Sequence, residues 1–177
     1  EVRMALAVLS VVGSDRPGLT KALAAAVLAA GGNWLESRLS LLGGLYVGSV
    51  LVELAPDRFD ALRSAVRAVD AQGLEVRITS AVEEAGAPGE ALHFSLVGQD
   101  RAGIVDQVTA VLTGVGANIE SVETWVSAEP HSGIALFHME ADLRLPLELG
   151  ADRVQAALQD ISAEVMVDIS VTGADGL

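Results

Sequence analysis

The apolar residues of the first part of the chain fall into extended runs. Residues 4–12 form a nearly continuous aliphatic run, which is typical of a strand buried on both faces. Residues 33–42 and 45–54 are two further extended candidates, separated by Gly43 and Gly44. A two-residue glycine turn adopts the positive φ angles that a tight hairpin requires. These segments therefore predict one strand followed by a hairpin.

A helical pattern lies between the first strand and the hairpin. Leu19, Leu23 and Val27 follow one another at helical spacing and define one apolar face, and the next two glycines end it. We expect Asp15 to cap this helix and Pro17 to supply the pre-set φ of its first turn. The sequence therefore predicts a strand-to-helix turn that contains both residues.

A second helix and a last strand complete the first part of the chain. The helix opens at Pro56-Asp57 and ends before Gly73, and one stripe of it carries Phe59, Leu62, Val66 and Val69. Residues 74–79 then alternate as a strand. The predicted order is βαββαβ.

The chain contains an internal repeat. The segment Gly13-Ser14-Asp15-Arg16-Pro17-Gly18 recurs 85 residues later as Gly98-Gln99-Asp100-Arg101-Ala102-Gly103, and residues 13–33 match the shifted segment at seven of twenty-one positions. The apolar positions shift by the same amount, which indicates a duplicated unit. We expect domains at residues 1–80 and 91–177, joined by a small, acidic, proline-containing linker at 81–90.

The second copy repeats the order of the first. Its predicted elements are strands 91–97, 118–126, 134–143 and 165–171 and helices 104–115 and 152–163. Its hairpin loop is longer, because residues 127–133 replace the two-glycine turn. The expected fold class is α+β, with two ferredoxin-like units, each an antiparallel sheet of order 4-1-3-2 with both helices on one face. The other copy or a second chain is expected to cover the opposite, apolar face.

Charge and composition narrow the functional classes. The 24 acidic and 11 basic residues give a net charge of −13, so the cations that hold a phosphate backbone are missing and direct nucleic-acid binding is not expected. The absence of cysteine excludes thiolate metal sites and cysteine nucleophiles and fits a cytoplasmic protein. The apolar runs are too short or too glycine-interrupted for a membrane span.

Catalytic and metal chemistry find little support in the sequence. Only His138 and Glu140 place two potential ligands on one strand face, with His93 on a strand that could neighbour it, and an interface histidine is the simpler interpretation. No serine lies in a recognisable nucleophile motif. We therefore expect no enzyme activity, no metal and no cofactor.

The repeated strand-to-helix turn is the candidate site. Unsatisfied backbone N–H groups at a helix start favour an anion, and Gly18 or Gly103 lets a ligand approach the backbone. The carboxylate of Asp15 or Asp100 could meet an ammonium group, so the turn suits both ends of an amino acid. The alternative is that the aspartate is only a cap and the glycine only permits the turn. The asparagines that follow each helix could be turn residues or ligand contacts.

These motifs resemble the ACT domain family. The resemblance rests on Gly-x-Asp-Arg-Pro-Gly-Leu at the turn and on Gly-Gly-Asn before a strand that contains Glu36-Ser37-Arg38-Leu39, and it spans both copies. It implies non-catalytic regulatory modules that bind small molecules, usually amino acids, near this turn. The residues that the resemblance assigns to the ligand site are Asp15, Arg16, Pro17, Gly18, Leu19, Asn33, Asp100, Arg101, Gly103, Ile104 and Asn118. Ala102 departs from the motif proline, which places the second site in doubt.

The resemblance implies a regulatory protein that binds an amino acid of the glycine or serine class. It would act as a homodimer on a protein partner, such as a transcriptional activator, through protein contact. The alternatives are a constitutive dimerisation or interaction module without a ligand, and an uncharacterised enzyme. Saturable amino-acid binding would favour the first interpretation, partner capture indifferent to amino acids the second, and turnover the third.

Overall fold

The computed structural model describes residues 3–83, 85–86, 88–161 and 165–171, the last range as backbone. The chain divides into two compact units, Glu1–Ala85 and Gly86–Leu177. Within the described residues, no helix is both long and apolar enough to cross a membrane.

The first unit has the predicted βαββαβ order. Its elements are β1 (Ala5–Ser14), α1 (Leu19–Ala29), β2 (Asn33–Leu42), β3 (Leu45–Leu54), a 3-10 turn (Pro56–Arg58), α2 (Phe59–Asp70) and β4 (Leu74–Ala81). The sheet order is β2-β3-β1-β4, and every neighbouring pair is antiparallel. This order is the predicted 4-1-3-2 arrangement read from the other edge.

The second unit repeats this topology. Its elements are β5 (Glu90–Gln99), α3 (Ile104–Gly114), β6 (Asn118–Ala128), β7 (Ala135–Leu145), α4 (Ala151–Gln159) and β8 (Val165–Val171), in the sheet order β6-β7-β5-β8. The expected ferredoxin-like fold is therefore confirmed for both units. The last residues predicted for its second helix, 162–163, lie outside the described residues, as do linker positions 84 and 87 and residues 172–177.

Each unit has one core between its sheet and its helices. In the first unit, alternate residues of β1 such as Leu9 meet Leu23 of α1 and Leu62 of α2, and all three are fully buried. In the second unit, Phe94 and Met139 occupy the corresponding layer. Full burial of a leucine side chain contributes about 1.5–3 kcal/mol, so these layers are the main source of stability.

The first strand is buried on one face only. Ala7, Leu9 and Val11 are buried, whereas Val8 is half-buried and Val12 is 47% exposed. One face of the strand is therefore buried within its unit, and burial of the other face against the other copy or a second chain stays a prediction. The aliphatic run reflects one core face and one open face that is also apolar.

Candidate functional site

The turn between β1 and α1 is shaped by Gly18. This residue is the N-cap of α1 and has a left-handed φ of 89°, and the helix has no side-chain cap hydrogen bond. A Cβ at Gly18 would have no heavy atom within 4 Å, so the turn needs glycine for its backbone angle and leaves open space beside it. The expected cap by Asp15 is wrong, and Pro17 precedes the N-cap instead of opening the helix. The physical reason is that a left-handed glycine ends the turn after both residues.

The helix start presents backbone donors to this open space. The first bond of the α1 ladder runs from the N–H of Ala22 to the carbonyl of Gly18 at 2.9 Å. The N–H groups of Leu19, Thr20 and Lys21 therefore lie outside the helical ladder. Lys21 is the single lysine of the chain and stands in the first turn, where no acidic residue is present. The partial positive charge of the helix end and this ammonium favour an anion.

A hydroxyl pair borders the same helix start. Thr20 Oγ1 and Tyr46 Oη are 2.7 Å apart, and either atom can donate. Tyr46 reaches this position because β3 pairs with β1 in a register that sets it opposite Gly13, at the end of the strand before the turn. The sequence reasoning missed both residues. The signal available was that Tyr46 is the only tyrosine in the chain.

The charged residues of the turn differ in their surroundings. Asp15 is exposed in the turn, between the end of β1 and Gly18. Arg16 donates from Nη1 to the carbonyl oxygen of Gln72 at 3.4 Å, so its guanidinium extends towards the turn before β4. The Asp15 carboxylate and the N–H groups at the start of α1 are the groups of this turn whose charges suit opposite ends of a zwitterion.

Four predicted site residues lie outside the two turns or have buried side chains. A residue with a buried side chain can offer a ligand only its backbone groups. The side chains of Leu19 and Ile104 are 5% and 3% exposed and belong to the two cores. Asn33 and Asn118 are the first residues of β2 and β6 and are exposed, so their interpretation as turn residues is wrong. The left-handed residue after α1 is Gly31, with a φ of 78°.

The turn of the second unit has the same backbone. Gly103 is the N-cap of α3 with a φ of 84°, and the N–H of Gln107 bonds to its carbonyl at 3.0 Å. Arg101 donates to Oε1 of Gln107 on the helix, and the N–H of Asp100 donates to Ala135 O at 2.9 Å. As in the first unit, a left-handed glycine and not Asp100 caps the helix.

The side chains around the two turns differ. Asp106 stands in the first turn of α3 at the position of Lys21, and Val105 stands at the position of Thr20. Phe137 lies opposite Gly98, as Tyr46 lies opposite Gly13, and Phe137 is buried. The second turn therefore has neither the hydroxyl pair nor the lysine, and its helix start carries a negative side chain that disfavours an anion.

Histidines and acids lie on the open face of the second sheet. His93 Nδ1 is 2.8 Å from Asp142 Oδ1, and Ser121 donates to Asp142 Oδ2 at 2.6 Å. His138 Nε2 lies 2.6 Å from Ser127 Oγ, and its ring stacks on Trp125. Among the residues that the structure describes, no three metal-ligating side chains are close enough to hold an ion, so the two-ligand pattern around His138 and Glu140 is not completed by His93.

Comparisons with known proteins agree with the fold. The sequence model of the ACT domain family matches residues 5–87. An unknown protein from Galdieria sulphuraria is 30% identical, and the match covers 97% of this chain and 100% of that one with a TM-score of 0.83. A protein assigned as a glycine cleavage system transcriptional repressor is 15% identical, with 96% and 99% covered and a TM-score of 0.68. No curated protein sequence matches. Residues 5–87 therefore belong to the ACT domain family, and the second unit of the chain repeats the same ferredoxin-like topology.

Proposed function

We propose that this chain is a non-enzymatic regulatory protein that binds one small amino acid, of the glycine or serine class, at the β1–α1 turn. The observation that carries the proposal is the grouping of an exposed carboxylate at Asp15, an uncapped helix start at Gly18 and the hydroxyl pair of Thr20 and Tyr46. Membership of the ACT domain family supports a regulatory role.

Each end of the ligand has a partner in this proposal. The ligand carboxylate accepts from the N–H groups at the start of α1 and is attracted by Lys21. The ligand ammonium faces Asp15. A serine hydroxyl would exchange hydrogen bonds with Thr20 or Tyr46, which places a short polar side chain near the pair. No heavy atom lies within 4 Å of where a Cβ at Gly18 would stand, so the ligand can approach the backbone at this position.

The second turn is proposed to be degenerate. A ligand carboxylate there would meet Asp106 in place of Lys21, and Val105 and Phe137 offer no hydroxyl. A polar ligand group that loses water without gaining a hydrogen-bond partner costs free energy, so we expect binding at the first turn alone. We expect one amino acid per chain.

The regulatory output is proposed to be protein contact. A chain with net charge −13 does not hold nucleic acid directly, so control of transcription would pass through a partner protein such as a transcriptional activator. The proposed setting is the cytoplasm, with the protein as a homodimer. The second candidate is a constitutive interaction module, which is favoured by the exposure of both turns and needs no ligand.

The test is a thermal-shift screen of the twenty amino acids, followed by isothermal titration of each hit. A ligand at one hundred times its Kd stabilises the folded state by about 2.7 kcal/mol, which is roughly 5–10 °C in Tm for a chain of this size. No shift with any amino acid at millimolar concentration would leave the interaction module as the better account.

A further inference from the structure

The open face of the first sheet is apolar along its two central strands. This face carries Leu6, Val8 and Val12 of β1 and Val47 and Leu51 of β3, which point away from the helices because their neighbours in the chain are the core residues. Val8 lies directly opposite Leu51, and Val12 opposite Val47. In the first unit, a groove of about 1230 Å³ extends over one end of this face and is lined by Met4, Leu6, Val8, Leu35 and Leu51 among others.

The second unit provides an internal comparison. At the sheet positions equivalent to Val8 and Leu51 it carries His93 and Asp142, which bond to each other at 2.8 Å. His138 stands at the position of Val47. The same topology therefore tolerates a polar open face. The apolar side chains of the first sheet are not required by the fold, and such a patch is typical of an interface.

The charged side chains on this face are balanced in sign, which favours contact with the same face of a second chain. Each edge strand carries a glutamate and an arginine two residues apart, Glu36 with Arg38 on β2 and Glu75 with Arg77 on β4. With Arg3, Glu53 and Glu83 near the groove, the face holds three arginines and four glutamates, so it is nearly neutral although the chain carries a net charge of −13. Two copies can approach through this face with little repulsion.

A two-fold arrangement matches these charges and the side-chain sizes. Glu36 lies in the same cross-strand row as Val8 and Leu51, and Arg38 lies in the row of Ser10 and Ser49. A two-fold axis that crosses the strands between these rows sets Glu36 of each copy opposite Arg38 of the other. It also sets Val8 and Leu51 against the small serines, which leave room for them.

We propose that the open face of the first sheet is the interface of a homodimer, in which two copies of this chain pack sheet against sheet. This inference rests on the homodimer in the proposed function and is independent of the amino-acid site. Sheets packed in this way lie about 10 Å apart with interdigitated side chains, and the arginine and glutamate side chains at the edges are long enough to meet across the rim.

The experiment measures the mass of the full chain by analytical ultracentrifugation between about 1 and 100 μM. The wild type is expected at twice the chain mass of 18.2 kDa. The variant Val8→His/Leu51→Asp copies the pair that the second sheet holds at these positions, so it is expected to fold and to raise the dimer Kd by about 100-fold or more. Val97→His on the open face of the second sheet is the matched control and is expected to leave the dimer intact.

Exchanging the charges of Glu36 and Arg38 provides a second test of the interface if the double variant misfolds. Arg38→Glu is expected to raise the dimer Kd by about 5-fold, because glutamates would then face each other across the axis. Glu36→Arg/Arg38→Glu is expected to restore it. A monomeric wild type, a dimer untouched by Val8→His/Leu51→Asp, or no restoration by the exchange would overturn the proposal. Titration of amino acids into the same variants reports on the ligand site separately.

Discussion

Tyr46 Oη lies 2.7 Å from Thr20 Oγ1 and joins the hairpin of the first unit to the first turn of α1. In the second unit the equivalent positions hold Phe137 and Val105, so the hydroxyl pair of one copy is replaced by two apolar side chains in the other. This contrast is the basis for assigning the ligand to the first unit.

The first prediction concerns this hydroxyl pair. Thr20→Val/Tyr46→Phe gives the first turn the side chains that the second turn carries at these two positions. We expect the affinity for serine to fall by about 2- to 12-fold, because one hydrogen bond contributes about 0.5–1.5 kcal/mol. Isothermal titration measures the change. Thr109→Val, which removes a hydroxyl on the exposed part of α3, is the control and should leave the affinity unchanged. Equal affinity in the double variant and the wild type would exclude a direct role for the pair.

The second prediction concerns the charge at the helix start. Lys21→Asp places at α1 the residue type that α3 carries at Asp106. A carboxylate in this first turn repels a bound anion, so we expect amino-acid affinity to fall by about 1 kcal/mol or roughly 5-fold, and to fall less at high salt. Asp106→Lys, the reciprocal change, should leave the affinity of the first site unaltered. A salt-independent loss in Lys21→Asp would point to local unfolding instead.

The third prediction separates two kinds of glycine near the turn. Gly18→Ala meets no atom within 4 Å but must adopt a φ of 89°, so we expect a loss of about 1–2 kcal/mol in the free energy of unfolding. A Cβ at Gly13 would lie 2.5 Å from the carbonyl oxygen of Gly73, so Gly13→Ala adds a backbone clash and should cost more. Chemical denaturation of both variants measures the difference, and the reverse order would contradict the described turn.

Most of the fold could be predicted from the sequence, because local signals and tertiary contacts agree there. The glycine that ends α1, the two-glycine hairpin and the spacing of Leu19, Leu23 and Val27 each specify one element without reference to distant residues. The repeat then extends the same reasoning to the second unit.

The helix cap was predicted wrongly and the hydroxyl pair was missed, because the local sequence pattern does not determine either feature. Asp15 and Gly18 both suit a helix start, and the left-handed backbone of Gly18 decides between them. Thr20 and Tyr46 are 26 residues apart, so their contact follows from the register of β3 against β1 and not from spacing.

The fourth prediction concerns nucleic acid. With 11 basic against 24 acidic side chains, few counterions would be released on binding, so we expect the purified protein alone to cause no retardation of duplex DNA at physiological salt. A gel-shift assay over a range of salt concentrations checks this. Sequence-specific retardation that weakens as salt rises would show that the chain binds DNA itself.

The central claim is that the first turn alone binds an amino acid, and isothermal titration of the Asp15→Ala and Asp100→Ala variants tests it most directly. Since neither aspartate caps a helix, both variants should remain folded, and each should lose well under about 1 kcal/mol of stability. We expect the wild type and Asp100→Ala to bind one glycine or serine per chain, and Asp15→Ala to bind at least about 10-fold more weakly. Two ligands per chain, or equal binding by wild type and Asp15→Ala, would contradict the account.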